Sequence, residues 1–291
     1  MEITQATKYP MTAARRRTRK AFNSLVWYVL LLIVAAGMVM PFLWIVFTSF
    51  KGAEDAIYSV PPQLIPQHPT LVNFVNVLNQ LPIGTFFLNS IGVGVITTVL
   101  NVLITALAAY PLAKMKFAGR EVIFYLLLAT LVVPAQLTYI PSFVLAVKFF
   151  HYYDHLQALV FPALSSAFNI FLLRQAFKSV PNDLIDAARI DGANEVQTWW
   201  SVLLPVIRPS LATVAIFTFV NSWNDFLWPS LMIHTRTRMT LPVGLAALQG
   251  MFSSDMRSIA AGVTLTIVPI LIFFILLQKY FVRGLTGAVK G

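Results

Sequence analysis

The feature that most limits what this chain can become is a succession of apolar segments, each near or beyond the roughly 20 residues that cross about 30 Å of hydrocarbon. Six are read, at 25–47, 87–110, 122–147, 156–173, 211–233 and 259–281. Lipid offers no hydrogen bonds, so each segment must satisfy its own backbone, and the expectation is an all-α polytopic membrane protein with six transmembrane helices. A chain that is 58% hydrophobic and 11% charged lies far from the balance of a soluble domain. The segment at 156–173 is the weakest, being short and carrying Ser165, Ser166 and Asn169.

The basic residues retain that fourth span. With six spans drawn, sixteen of the 21 Lys and Arg fall on one side, in the N-terminal flank, the second-to-third and fourth-to-fifth connections and the C-terminus. Positive charge collects on the cytoplasmic side, so both termini are expected there. The net charge of +10 is therefore topological first. The run from Arg15 to Lys20 directly precedes a span and suits anionic headgroups better than nucleic acid, which is not expected as a partner. The first span is too long for a signal h-region of about 7 to 15 residues, no small-residue cleavage site follows it, and it is expected to stay. The chain has no Cys, which excludes disulfides, thiol catalysis and Cys-ligated metal. It also lacks a Gly-x-x-x-x-Gly-Lys-Ser/Thr loop, which excludes a pump carrying its own ATPase.

One compact domain is expected over 25–283, preceded by a basic segment, 1–24, and followed by a tail, 284–291. The long connection from Lys51 to Thr85 holds Pro61, Pro62, Pro66, Pro69 and Pro82, and reads as extended with a short helix near 71–78. The connection at 234–258 contains the apolar stretch 241–248, too short to cross, and reads as a surface helix or a protruding loop. Within the spans, Pro111, Pro134, Pro141, Pro162 and Pro269 each remove a backbone donor and bend or interrupt a helix. Such bends suit a protein that opens and closes, although Pro is enriched in membrane helices generally.

The fourth connection carries a polar helical hook. Pro181 stands at a first helical position, Asn182 and Asp183 lie at the positive helix end, and Gly192 supplies a left-handed stop. Asn194 and Gln197 form a capping-box pattern for a second helix, which Pro205 closes or bends before a span near Pro209. Asp183, Asp186, Arg189, Asp191 and Glu195 then surround an apolar knob of Leu184, Ile185 and Ala188. A charged, capped pair of short helices fits a cleft on a soluble partner, or else lies on the membrane.

The series Asp186-Ala187-Ala188, then Gly192, then Val202-Leu203-Leu204-Pro205 after nine residues resembles the cytoplasmic motif of ABC importer permeases. Asp186 stands where that motif usually has Glu, and Val202 replaces Ile. The resemblance extends from about Val26 to the end. It is most specific at Phe171-Leu172-Leu173-Arg174-Gln175, at the stretch from Phe219 to Pro229, and in the terminal Gly284–Gly291. These point to the carbohydrate-uptake branch and to chains like the smaller permease of the maltose system. The resemblance implies a type I importer permease fold in a bacterial inner membrane, with no catalytic residue. It implies a second permease, two cytoplasmic ABC ATPase subunits that hold ATP and Mg, and an extracytoplasmic solute-binding protein as partners. No cofactor is implied on this chain. Asp186, Ala187, Ala188, Arg189, Asp191, Gly192, Leu204 and Pro205 would couple to the ATPase, with force passing through Asp186 and Gly192. Gly287 and Lys290 of the tail would reach between the ATPase subunits, and the loop 234–258 would meet a sugar-bound binding protein.

Polar groups inside spans are costly unless they face the bundle interior or a wet cavity. Gln136, Ser166, Asn169, Thr218, Asn221, Asn224 and Asp225 are therefore candidates for a translocation pathway. Thr218, Asn221 and Asp225 lie at i, i+3 and i+7, and so on one helical face. Trp223 and Trp228 nearby could offer an aromatic surface to a sugar. The alternative reading makes the polar residues interhelical glue and the Trp residues interfacial belt. His151, Asp154 and His155 have metal-like composition, but a hydrated loop is favoured over a zinc site and no metal is expected. An ion-coupled transporter would need a charged relay deep in the spans, and an intramembrane protease a His inside them or a His-Glu-x-x-His motif. These are missing. A closer rival is an ABC permease for an anion such as glycerol phosphate, with Arg236 or Arg238 as its partner.

Overall fold

The computed structural model describes residues 13–61, 63–252, 255–268, 271, 272 and 275, with side chains from residue 22. The helix α1, Ala13–Ser49, is followed by a proline-rich loop and the short α2, Val72–Gln80. The latter confirms the helix expected near 71–78. Next comes α3, Ile83–Lys114, whose 32 residues make a rod of about 48 Å, longer than the hydrocarbon it must cross.

The buried face of α3 explains why it becomes the axis of the fold. Ser90, Gly94, Thr97, Asn101, Thr105, Ala109 and Ala113 recur every three or four residues and are buried, while Leu88, Ile96, Val99, Leu103 and Leu107 are exposed. Small and hydroxyl-bearing residues let neighbouring helix backbones approach closely and bond across, which membranes reward because lipid is as apolar as Leu. The seam is thus polar inside and apolar outside. A Cβ added at Gly94 would come within 2.9 Å of the Phe219 ring, so this contact requires the missing side chain.

Beyond α3 the spans bend. The run α4, Arg120–Ala129, with its 3-10 extension to Val132, and α5, Ala135–Val144, with its π-helical extension to Phe149, meet at 100°. The span expected at 122–147 is therefore broken, at the first of the two prolines expected to bend or interrupt it. Pro134, extended at ψ 129°, is the break. The short α6, Gln157–Val160, with its 3-10 turn through Pro162, meets α7, Ala167–Ser179, at 52°. Ser166 caps α7, accepting from the Asn169 amide at 3.5 Å. Next come α8, Asn182–Ile190; α9, Glu195–Gln197; a π-helical stretch to Leu203; and α10, Leu204–Val206. After an 81° bend, α11 runs from Arg208 to Asn224. The expected fifth span at 211–233 therefore stops short. Asp225 is extended, and α12, Leu227–Met232, is a separate piece.

Two helices, Phe22–Ser49 and Ile83–Lys114, are each long and apolar enough to cross a membrane, and three bent pairs pass that test together. The sixth span is described only as α14, Met256–Val268, starting three residues before its expected position. Pro269, the rest of that span apart from 271, 272 and 275, and the tail with Gly287 and Lys290 lie outside the described residues.

The segment 234–258 departs from both expected forms. After a 3-10 turn at Arg236–Arg238, α13, Leu241–Met251, buries Leu241, Val243, Gly244 and Leu248. It lies against α3 so tightly that a Cβ at Gly244 would be 2.2 Å from the Phe86 ring. Amphipathic burial, not a membrane surface, takes its apolar face.

Candidate functional site: the hook and the buried polar seam

The hook forms as its caps dictate, with one shift. Pro181 is the extended residue before α8 (ψ 140°), and Asn182 is the first helical residue. At the other end Gly192 takes φ +84°, a left-handed conformation that costs Gly little. The Gly192 amide donates to the Arg189 carbonyl and the Ala193 amide to that of Ala188, closing the helix. The Asn194 carboxamide then accepts from the Gln197 amide at 2.8 Å, while the Gln197 side chain accepts from the Asn194 amide at 2.9 Å. This is the reciprocal capping box that the sequence predicts. Pro205 and Pro209 flank the 81° bend at Ile207, where two missing amide donors ease the change of direction.

The apolar knob is composed differently from the expected one. Ile185 and Ala188 turn inward and are buried, Ile185 joining a core with Trp199, Leu203, Phe177 and Ala109. The large apolar residues left outside include Leu184, Ile190 (86% exposed), Val196 and Trp200, with Asp183, Asp186, Ala187, Asp191 and Gly192 also exposed. The outward surface is therefore a small apolar patch ringed by carboxylates, braced from behind by a packed core. Leu204 and Pro205 are half-buried at the bend.

Polar ties fix the hook to α3. The Tyr110 hydroxyl donates to Glu195, which also receives Arg189 at 2.7 Å; Arg189 lies 3.9 Å from Asp186. The Tyr110 bond, then Arg189, holds the Glu195 carboxyl below the ordinary Glu value, and the Glu195 pair raises Arg189. The Lys114 ammonium donates to the Val180 carbonyl at 2.6 Å and to Asn182 at 2.8 Å, meeting the other hook helix at its start. Arg174, fully buried, donates to the Leu112 carbonyl at 2.8 Å and to both Glu121 oxygens at 2.6 and 2.7 Å, and lies 3.7 Å over the Phe124 ring. It joins α3, α4 and α7 at the hook end. One guanidinium nitrogen meets both Glu121 oxygens while Nε donates to the Leu112 carbonyl, and reaching these two partners at once needs the forked group, so Lys would not substitute.

Of the candidate pathway residues, Asn169 and Thr218 come together, Ser166 adjoins Asn169 as its helix cap, and the others do not join them. Asn169 and Thr218 are both buried, and they meet Asn101, a residue the sequence reading missed. Asn169 donates to Asn101 at 2.9 Å and to Thr218 at 3.1 Å, while Asn101 donates to the Ala163 carbonyl at 2.8 Å. The cluster ties α3, α7 and α11 at mid-length, and its amide donors are occupied. The rule that flagged polar groups in spans also applies to Asn101, which lies within 87–110. Gln136, Asn221 and Asn224 are exposed on this chain, and Asn224 donates back to the Val220 carbonyl at 2.9 Å. Asp225 lies past the end of α11 and accepts from the Trp228 amide at 3.3 Å, so it does not share a helical face with Thr218. Trp223 and Trp228 are buried. Trp223 packs edge-on to Phe87 and stacks on Phe219, and the Trp228 indole donates to the Ala158 carbonyl at 2.9 Å. Neither presents a face to a sugar.

The far end of the molecule has its own anchor. Among the described residues no group of three His, Asp or Glu converges as a metal site. Asp154 instead accepts from the amides of His234 (2.8 Å) and Thr235 (2.9 Å) and from the Thr235 hydroxyl (2.5 Å), with Arg238 at 3.4 Å. These bonds, led by the Thr235 hydroxyl, pull the Asp154 carboxyl down to about 2.

Residues 101–287 match the family described as "Binding-protein-dependent transport system inner membrane component". The chain is 35% identical to the arabinooligosaccharides transport system permease protein AraQ of Halalkalibacterium halodurans, over 89% of this chain and 93% of that one. It is 33% identical to the diacetylchitobiose uptake system permease protein NgcG of Streptomyces coelicolor, over 90% and 86%. A chain in the crystal structure of a bacterial ABC transporter that imports the acidic polysaccharide alginate superposes with a TM-score of 0.78 at 25% identity. That match covers 94% of this chain and all of the other.

Proposed function

This chain belongs to the family of binding-protein-dependent transport system inner membrane components, and on that premise we propose that it is one of two permease subunits of an ATP-driven importer for an oligosaccharide or a similar polar solute. The observation that carries the reading is the hook. It is a capped two-helix projection with an outward apolar patch and carboxylate rim, fastened to the membrane helices by Tyr110, Lys114 and a buried Trp199. Such a surface suits an apolar cleft with basic edges on a cytoplasmic ABC ATPase, two copies of which would hold ATP and Mg. This chain would bind neither. A second permease completes the pathway, and an extracytoplasmic binding protein delivers the cargo. In this reading the hook end is cytoplasmic, the chain crosses the bacterial inner membrane six times, and the tail with Gly287 and Lys290 reaches the ATPase. The substrates of its relatives, arabinooligosaccharides and diacetylchitobiose, support a saccharide cargo.

An anionic cargo has a relative in its favour, the sn-glycerol-3-phosphate permease UgpE of Yersinia pestis, at 28% identity. The arginines it would need are engaged: Arg236 donates to the Gln80 carbonyl and Arg238 to Asp154. A saccharide is therefore the better supported cargo. Purification in mild detergent from the native membrane tests the reading. Wild type is expected to bring an ABC ATPase and a second permease, and Gly192→Val to lose the ATPase while keeping the permease. Wild type that brings neither overturns it.

A further inference from the structure

One helix touches both ends of this molecule without a break. Between Asn89 and Tyr110 no Pro interrupts α3, whereas the spans that follow it are bent by 100° and 52°, and α11 stops at Asn224. At the hook end α3 holds both hook helices, Glu195 through Tyr110 and the start of α8 through Lys114. At the far end Asn89 donates to the carbonyls of Thr237 (2.9 Å) and Met239 (3.0 Å), and Ser90 accepts from the Leu241 amide at 2.8 Å. The helix thus grips the segment leading into α13 at three alternate residues, Thr237, Met239 and Leu241. Midway, Asn101 fixes it laterally to α7 and α11. A continuous hydrogen-bonded helix is stiff along its axis, and directed side-chain bonds at each end convert its displacement into displacement of whatever they hold.

Resting on the proposed function, we propose that α3 is the transmission rod of this subunit. Tyr110 is the positioning residue through which hook movement enters it, and Asn89 the one through which movement leaves into the 237–241 segment. The ATPase cycle at one end then sets the conformation of the loop at the other, about 32 Å away along the helix from Tyr110 to Asn89 at about 1.5 Å per residue. Tyr110 is itself buried beneath the hook, and Phe in its place leaves Asp183, Asp186 and Ile190 of the outward face unchanged, so its role is separable from docking. Coupling of this kind is established by showing that both ends bias one two-state element.

The chain lacks Cys, so Thr237→Cys accepts a single environment-sensitive label. The labelled complex, purified with its ATPase and placed in lipid nanodiscs, is given ATP, and the signal change is recorded. Tyr110→Phe removes one hydroxyl and leaves Lys114 in place. Asn89→Ala removes both far-end donors. Both are expected to retain ATPase in wild-type amount and to reduce the ATP-induced signal at least fivefold. Glu195→Gln, which keeps an acceptor for the Tyr110 hydroxyl, should stay within twofold of wild type. Tyr110→Phe and Asn89→Ala complexes that assemble and respond as wild type overturn the rod while leaving the proposed function intact. A wild type that retains no ATPase overturns both. Should Tyr110→Phe fail to assemble, Asn89→Ala, remote from the hook, decides alone.

Discussion

Replacing Gly192 by a graded series of residues separates backbone geometry from surface contact as the reason a glycine stands in the hook. Gly192 has φ +84°, and a Cβ built there meets nothing within 4 Å. The penalty for Ala is therefore conformational alone, about 1–2 kcal/mol for an L-residue in the left-handed region. If docking needs the turn intact, the affinity for the ATPase falls about 5- to 30-fold, since about 1.4 kcal/mol is a factor of ten. Asn, which enters this region more readily, should stay within about threefold of Gly, and Val, branched at Cβ, should fall below Ala. The assay is titration of fluorescent ATPase onto the purified permease pair in nanodiscs. The predicted order is Gly, Asn, Ala, Val. Asn and Ala that weaken binding as much as Val would refute the backbone argument, and would mean that the partner itself approaches this position too closely for any side chain.

Other outcomes follow from packing and charge. Gly244→Ala places a methyl against a fully buried Phe86 ring and should destabilise the protein by about 1–3 kcal/mol, read as a lower thermal midpoint in detergent and partly reversed by adding Phe86→Leu. Asn169→Ala should cost about 0.6 to 1.7 kcal/mol of stability and leave the apparent KM for cargo unchanged; a raised KM at unchanged stability would assign it to the pathway. Asp154, with its folded value near 2 below the unfolded 3.8, adds stability that is complete above about pH 4 and is lost as pH falls through 2. The protection of the His234 and Thr235 amides, taken relative to their intrinsic exchange rates, should therefore fall on acidification through that window, and at neutral pH their exchange should quicken about tenfold or more in Asp154→Ala, as expected when a charge-assisted bond worth about 1.5–3 kcal/mol is removed.

The elements that local chemistry determines were legible in the sequence. Asn194 and Gln197 cap as a pair because both partners lie within one turn, and Gly192 ends α8 because only a backbone property is involved. Apolar segments long enough to cross were also visible, and Pro134, Pro162, Pro205 and Pro209 marked the bends, whereas Pro111 and Pro141 lie inside α3 and α5, so a proline alone does not say which helix breaks. The inward turn of Ile185 and Ala188 was not legible. The hook has apolar residues on both faces, and which face is covered depends on α3 and on Trp199, distant in sequence. Tyr110, too, gained its role only through a partner 85 positions away. The polar seam of α3 escaped because its pattern is inverted: in lipid the buried face is the one with Ser, Thr and Asn, so burial and hydrophobicity part company. Asp154 drew attention for its composition between two His residues, yet its work is to bind the backbone 80 residues on.

The account rests on this chain transporting only as part of an ATP-driven assembly, and uptake by proteoliposomes measures that directly. Vesicles carrying either the purified chain alone or the chain with its co-purified partners are loaded with ATP and Mg and given binding protein with a labelled oligosaccharide. The assembly is predicted to accumulate label only with internal ATP, and the chain alone to accumulate none under ATP or an imposed proton or sodium gradient. Gradient-driven uptake by the chain alone would contradict the account and make this a self-sufficient ion-coupled transporter.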